Sequence, residues 1–214
     1  MINVLKVTKR LKRRLLRKKS KVFFVTCLLV VVVLIAILYS SAMPKYIDPS
    51  AYRVLLNVIA AGESNGNYNA YFRHPANTSL ELTEMTIAEV LHWQEDYVSS
   101  GNASSAAGRY QIIQPTLEGL VRELAVDPSE IFNETLQDKM AITLAEGRGA
   151  RDFVEEKITT EQFAANLAKE WAALPSVTGE KPSESFYAGD GLNQSRIPVD
   201  TILNAVNEFK RAAQ

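Results

Sequence analysis

The 214-residue sequence contains one cysteine and two histidines, and each shortage excludes some chemistry. Cys27 has no partner for an intramolecular disulfide. It lies near the start of an apolar run and not after it, which fits a packing or lipid-facing residue better than a lipoprotein anchor. With only His74 and His92 and no cysteine cluster, no structural zinc site is expected. Neither histidine has an assigned role, and no metal or nucleotide cofactor is implied. No internal repeat or long low-complexity tract organises the body. Acidic residues are missing from the first 21 positions, which hold ten Lys and Arg, and residues 22–39 carry no charge. The formal net charge of zero therefore hides an asymmetry: the rest of the chain has 14 basic and 24 acidic residues, a net of −10. An acidic body repels a phosphate backbone, so nucleic acid is not an expected partner.

The apolar run, Val22 to Tyr39, has the length of a membrane span. As a helix it would reach about 27 Å at ~1.5 Å per residue, against a hydrocarbon core of roughly 30 Å. The basic block before it is incompatible with a buried core helix. By the positive-inside rule it holds residues 1–21 in the cytoplasm and sends the body outward, toward the periplasm and wall. The expected organisation is a basic arm (1–21), a transmembrane signal-anchor (22–42) contacting lipid through residues 22–39, a linker (43–49) and a globular domain (50–214). Ser40-Ser41-Ala42 offers a signal-peptidase site, so cleavage after Ala42 stays open. The run is, however, longer than the roughly 7–15 apolar residues of a signal peptide, which favours an uncleaved anchor.

The body reads mainly as helices. Ala51 to Gly62 carries Val54, Leu55, Val58 and Ile59 at helical spacing and is expected to end at Gly62. Thr86 to Glu89 is a capping box that opens a helix carrying Val90, Leu91, Trp93 and Val98. Further helices are expected from Pro115 to Ala125 and from Glu134 to Gly147, the second capped by Asn133. Another is capped by Thr160, with Phe163, Leu167, Trp171 and Leu174 on one stripe and Pro175 as terminator. The last runs from Val199 to Ala212. Asn-rich Gly66 to Glu84 reads as short strands or a hairpin. Val177 to Ile197 reads as a long loop, and its length together with Phe186-Tyr187 favours a functional one.

One position invites chemistry. Glu63 follows the first apolar helix and is itself followed by Ser64-Asn65-Gly66-Asn67-Tyr68-Asn69-Ala70-Tyr71. Such a setting can place a carboxyl on the floor of a polar cleft. There burial raises its pKa enough to protonate a glycosidic oxygen. On local sequence alone a helix-end glutamate pointing into water is the more common case.

Four segments bear on that choice. Glu63 to Asn69 resembles the catalytic glutamate segment of the lysozyme superfamily, and Ala107-Gly108-Arg109-Tyr110-Gln111-Ile112 its Gly-x-Tyr-Gln motif. Leu167 to Pro175 and Phe186 to Asn193 resemble segments of the lambda-type phage lysozymes, which act as lytic transglycosylases, and of related phage muramidase domains. The resemblance implies a mainly α (α+β, lysozyme-like) fold, two-lobed, with a small β-hairpin beside the cleft. It implies Glu63 as the catalytic acid, with Tyr110 and Gln111 lining the cleft. Arg109 would hold the hairpin or a sugar substituent. Tyr71, Tyr187 and Asp190 would contact substrate, the last two from the loop, where a loop-stabilising role is the alternative. Trp171 is expected in the core.

No second carboxylate stands at a recognisable spacing; Glu81, Glu84 and Glu89 are candidates only because they are acidic. The resemblance therefore favours cleavage of the β-1,4 bond between N-acetylmuramic acid and N-acetylglucosamine with a 1,6-anhydro product. Peptidoglycan glycan strands are the expected partner. A hydrolytic muramidase and a non-catalytic peptidoglycan-binding part of an envelope or virion complex are the alternatives.

Overall fold

The computed structural model describes residues 31–33 and 46–214. The basic arm and, but for the helical residues 31–33, the apolar segment 22–42 lie outside the described residues. Among the described residues no helix is long and apolar enough to cross a membrane. Ile47 to Gln214 form one compact unit.

A single turn of 3-10 helix, Pro49–Tyr52, opens this unit, with the Asp48 carboxylate accepting from the Ser50 N–H at 2.8 Å. It leads into α1 (Arg53–Ser64), which buries Leu55, Leu56, Ile59 and Ala60 on one face. This helix does not stop at Gly62 as expected. It ends where Asn65 enters the left-handed region at φ 54°, followed by Gly66 at φ 80°. Glu63 therefore belongs to the last helical turn and not to the loop beyond it.

Helix α2 (Ile87–Ser99) has the capping box: Thr86 Oγ1 accepts from Glu89 N–H, and the Glu89 carboxylate accepts from Thr86 N–H at 2.7 Å. Helix α3 (Gln114–Glu123) tolerates Pro115 in its first turn, where the missing N–H is not needed. Helix α4 (Glu134–Gly147) is capped by Asn133. A short helix, α5 (Ala150–Val154), follows Gly149 at φ 102°; its five residues are too few to show a period in sequence. Helix α6 (Thr160–Ala168) is capped by Thr159, one residue before the expected cap, in a box with Gln162. Helix α7 (Val199–Ala213) closes the unit.

Packing falls into two groups: α1 with α4 and α7, to which α5 and α6 add, and α2 with α3. The first group is centred on rings. Tyr52 and Phe209 lie 4.6 Å apart, and Phe153 stacks on Phe163 at 5.1 Å. All four rings are fully buried.

Two further expectations are corrected. The stripe Phe163-Leu167-Trp171-Leu174 is buried, but the helix ends at Ala168, so Trp171 and Leu174 reach the core from turns. Pro175 disfavours helical geometry at the residue before it, and the chain has left the helix well upstream. The Gly66–Glu84 segment forms no strand ladder. Among the described residues there are only single bridges: Tyr71 with His74 and with Ala107, Ala107 with Ile112, Thr86 with Ile131, and Pro175 with Ser185. Asparagine side chains take the place of a second strand. Asn67 Nδ2 donates to the carbonyls of Pro75 and Asn77, and Asn77 Nδ2 to those of Asn69 and Leu80 at 2.6 and 2.8 Å. Asn77 Oδ1 accepts from the N–H groups of Ser79 and Leu80, and Asn69 Oδ1 from that of Thr83. These bonds satisfy backbone groups that a ladder would otherwise pair, and they hold the segment in turns.

Candidate active site

Glu63 is half-buried on the final turn of α1. Its Oε1 accepts the Ala173 N–H at 2.9 Å. The break after α6 makes this bond available. In a continued helix Ala173 N–H would donate to the Lys169 carbonyl; here that carbonyl accepts instead from the Tyr187 hydroxyl at 2.6 Å. Gly62 permits the close approach. A Cβ there would stand 2.9 Å from Ile197 Cγ1 and 3.0 Å from Ala173 Cβ. Arg196 completes the surround. Its N–H donates to the Ala173 carbonyl at 2.9 Å and its Nη1 to the Gly62 carbonyl at 3.2 Å.

Burial dominates the electrostatics of Glu63. It raises the carboxyl from 4.5 to about 7, against the opposing Ala173 N–H and the Arg196 cation. The negative end of the α1 dipole acts in the same direction as burial. No second carboxylate contributes to this balance. Glu89 is committed to its cap and is exposed, and Glu81 and Glu84 are exposed. A carboxyl with this proton affinity can both give and take a proton near neutral pH.

The Gly108-Arg109-Tyr110-Gln111 turn lies directly beside the end of α1, since Ser64 Oγ donates to the Arg109 carbonyl at 2.7 Å. Arg109 ties the turn to α1 and to the following loop. Its Nη2 donates to Asn57 Oδ1 at 2.8 Å and its Nη1 to the Gly66 carbonyl at 3.1 Å, while its cation lies 4.7 Å from the Tyr68 ring centre. Tyr110 is buried, and its hydroxyl donates to Asp138 Oδ1 at 2.6 Å; the Tyr68 hydroxyl donates to the same oxygen at 3.0 Å. Burial first, and then the Asp138 carboxylate, push the Tyr68 phenol up to about 12 and that of Tyr110 well above its usual range. Gly108, at φ 78°, has no room for a Cβ, which would collide with Gln137 Oε1. That oxygen accepts the Arg109 N–H at 2.8 Å. Gln111, in the left-handed region at φ 48°, folds its Nε2 back on the Gly108 carbonyl.

The remaining predicted residues are Tyr71, Tyr187 and Asp190. Tyr71 packs in an aromatic group with His74, Trp93 and Tyr97, at ring-centre distances of 4.4, 5.3 and 5.5 Å, and its backbone bridges Ala107. Tyr187 is fastened to Lys169, as above. Asp190 accepts from the N–H groups of Leu192 and Asn193, which keeps its carboxyl below the usual range and stabilises its own turn. Among the described residues no cluster of His, Cys, Asp and Glu could hold a metal ion. Sequence reading missed Ala173, Arg196, Asn57, Gln137 and Asp138. Ala173 contributes a backbone group, which no residue pattern reveals. The other four sit at ordinary polar positions of helices or a loop.

A half-buried carboxyl of raised proton affinity, set on a helix end within a mainly helical domain, is the arrangement of a lysozyme-like enzyme. The family described as Endolysin matches residues 41–188, and the chain belongs to that family. Membership makes it a peptidoglycan-degrading enzyme of the phage endolysin class, acting on the cell wall. No curated protein and no solved structure matches the chain.

Proposed function

We propose that the chain is a membrane-anchored lytic transglycosylase that cleaves the β-1,4 bond after N-acetylmuramic acid, with Glu63 as its acid and base. One observation carries the reading: Glu63 is half-buried, its proton affinity is raised to about 7, and among the described residues no carboxylate is one of the groups that shift it. A hydrolytic mechanism of the usual kind needs two carboxyl groups about 5–9.5 Å apart. One group suffices when the nucleophile belongs to the substrate. Protonated Glu63 gives its proton to the glycosidic oxygen as the bond from muramic C1 breaks. The resulting carboxylate takes the proton of the C6 hydroxyl on the same sugar, whose oxygen closes onto C1. No water is consumed, and the tethered hydroxyl has a high effective concentration. The Ala173 N–H stabilises the carboxylate between the two transfers.

Arg109, Tyr110, Tyr187 and Asp190 act in this reading by fixing the walls around Glu63, while Tyr71 and Gln111 remain for sugar contact. The basic arm and the apolar run 22–39 support an anchor that leaves the N-terminus in the cytoplasm and the domain at the wall. Tethering then replaces electrostatic attraction between an acidic body and an anionic wall. A zymogram of the natural chain beside Glu63→Gln tests the catalytic claim. Clearing by the first and none by the second is expected, and equal clearing by both contradicts it.

A further inference from the structure

Arg196 reaches Glu63 through two short links. Its Nη1 donates to the carbonyl of Gly62, the residue before Glu63, at 3.2 Å. Its backbone N–H donates to the carbonyl of Ala173, the residue whose own N–H holds the Glu63 carboxyl. The side chain is exposed. Among the described residues it forms no ion pair, and that bond to Gly62 is its only side-chain hydrogen bond, made with one of its five N–H donors. Three other arginines of the domain are committed to strong partners. Arg148 pairs with Glu170 at 2.6 Å, Arg151 with Glu146 at 2.9 Å, and Arg109 serves Asn57 and Gly66. Arg196 is thus an exposed cation with donors to spare, tethered to the residue before the candidate acid, on a body that is otherwise net negative.

The substrate proposed above supplies a matching group. Peptidoglycan is an anionic polymer because its peptide stems carry carboxylates, and each stem is attached to the muramic acid residue, the sugar whose C1 reacts. A cation bonded to the residue before the acid is nearer to that sugar than to the others of the strand. A guanidinium fork suits a carboxylate because two parallel N–H donors meet its two oxygens. We propose that Arg196 binds a carboxylate of the peptide stem on the reacting muramic acid, which makes the site selective for peptide-bearing, charged glycan strands. The inference rests on the proposed activity and adds its specificity.

The test compares steady-state cleavage, by the full chain in mild detergent, of intact sacculi and of sacculi whose stem carboxylates have been amidated. With the natural chain KM is expected to rise about tenfold on the amidated wall, the size of one charge-assisted hydrogen bond lost. Arg196→Gln is expected to show the raised KM on both substrates, with no further loss on the amidated one, and Arg196→Lys to fall between. Equal KM of the natural chain on the two walls overturns the inference while leaving the cleavage reading standing. So does a loss in Arg196→Gln that repeats in full on the amidated wall. No cleavage of intact sacculi by the natural chain overturns the activity itself, and the inference with it.

Discussion

Replacing Glu63 by glutamine should stabilise the fold at alkaline pH and leave it unchanged in acid. The folded state raises this carboxyl from 4.5 to about 7, chiefly by burial. Between those values the folded chain holds a proton that the unfolded chain has released, so stability is full below pH 4.5 and declines as pH rises through about 7. At about 1.4 kcal/mol per pH unit the decline amounts to roughly 3 kcal/mol. Glutamine keeps the Oε1 acceptor for the Ala173 N–H and carries no charge to desolvate. The substitution should therefore leave stability nearly unchanged at pH 4.5 and raise it by up to about 3 kcal/mol at pH 8. For a domain of this size that is a gain of roughly 6–12 °C in Tm. The assay is thermal or urea unfolding of both chains across pH 4.5–8. Parallel stability profiles would show that Glu63 is not desolvated as described, and would remove the physical basis for its action as an acid.

Other expectations follow from single contacts. Gly62→Ala, which in an exposed helix would stabilise by about 0.5–1 kcal/mol, should here reduce cleavage activity. The new methyl group meets Ile197 and Ala173, displacing the N–H that holds Glu63; activity equal to the natural chain would contradict this. Asp138→Ala leaves the buried Tyr110 hydroxyl without its acceptor, a cost of roughly 1–3 kcal/mol, visible as a Tm lowered by about 2–12 °C. Asn77→Ala removes the bonds that hold the segment after α1 in turns, and limited proteolysis should then cut between residues 66 and 84 well before global unfolding. Arg196→Gln removes a cation that lowers the proton affinity of Glu63, so the alkaline limb of the rate profile should move upward in pH. An unmoved limb would place the guanidinium too far away to act.

Most helices were legible because their signals are local. Thr86 with Glu89 and Asn133 both cap as the sequence indicates, and Leu55 and Ile59 of the α1 stripe are buried as their spacing requires. Failures came where a tertiary contact displaced a local preference. Trp171 keeps the core position its stripe implies, yet reaches it outside the helix, because the backbone beyond Ala168 turns to serve Glu63 and Tyr187. The hairpin expected near Tyr71 is replaced by asparagine-held turns, since Asn67, Asn69 and Asn77 satisfy the backbone that a strand would pair. At the site, Glu63 could be singled out by motif, but its environment could not. The Ala173 N–H and the Gly62 close approach depend on a segment some 110 residues away, and Arg196 comes from a loop without a pattern. Tyr110 and Arg109 stand out as a motif, while the bonds to Asp138 and Asn57 that fasten their turn do not.

Mass spectrometry of the fragments released from sacculi by the full chain tests the single-carboxylate account most directly. The account predicts muropeptides ending in 1,6-anhydromuramic acid, lighter by one water than the hydrolytic products, and none from the Glu63→Gln chain. Ordinary reducing muramic acid ends, without anhydro ends, would contradict it.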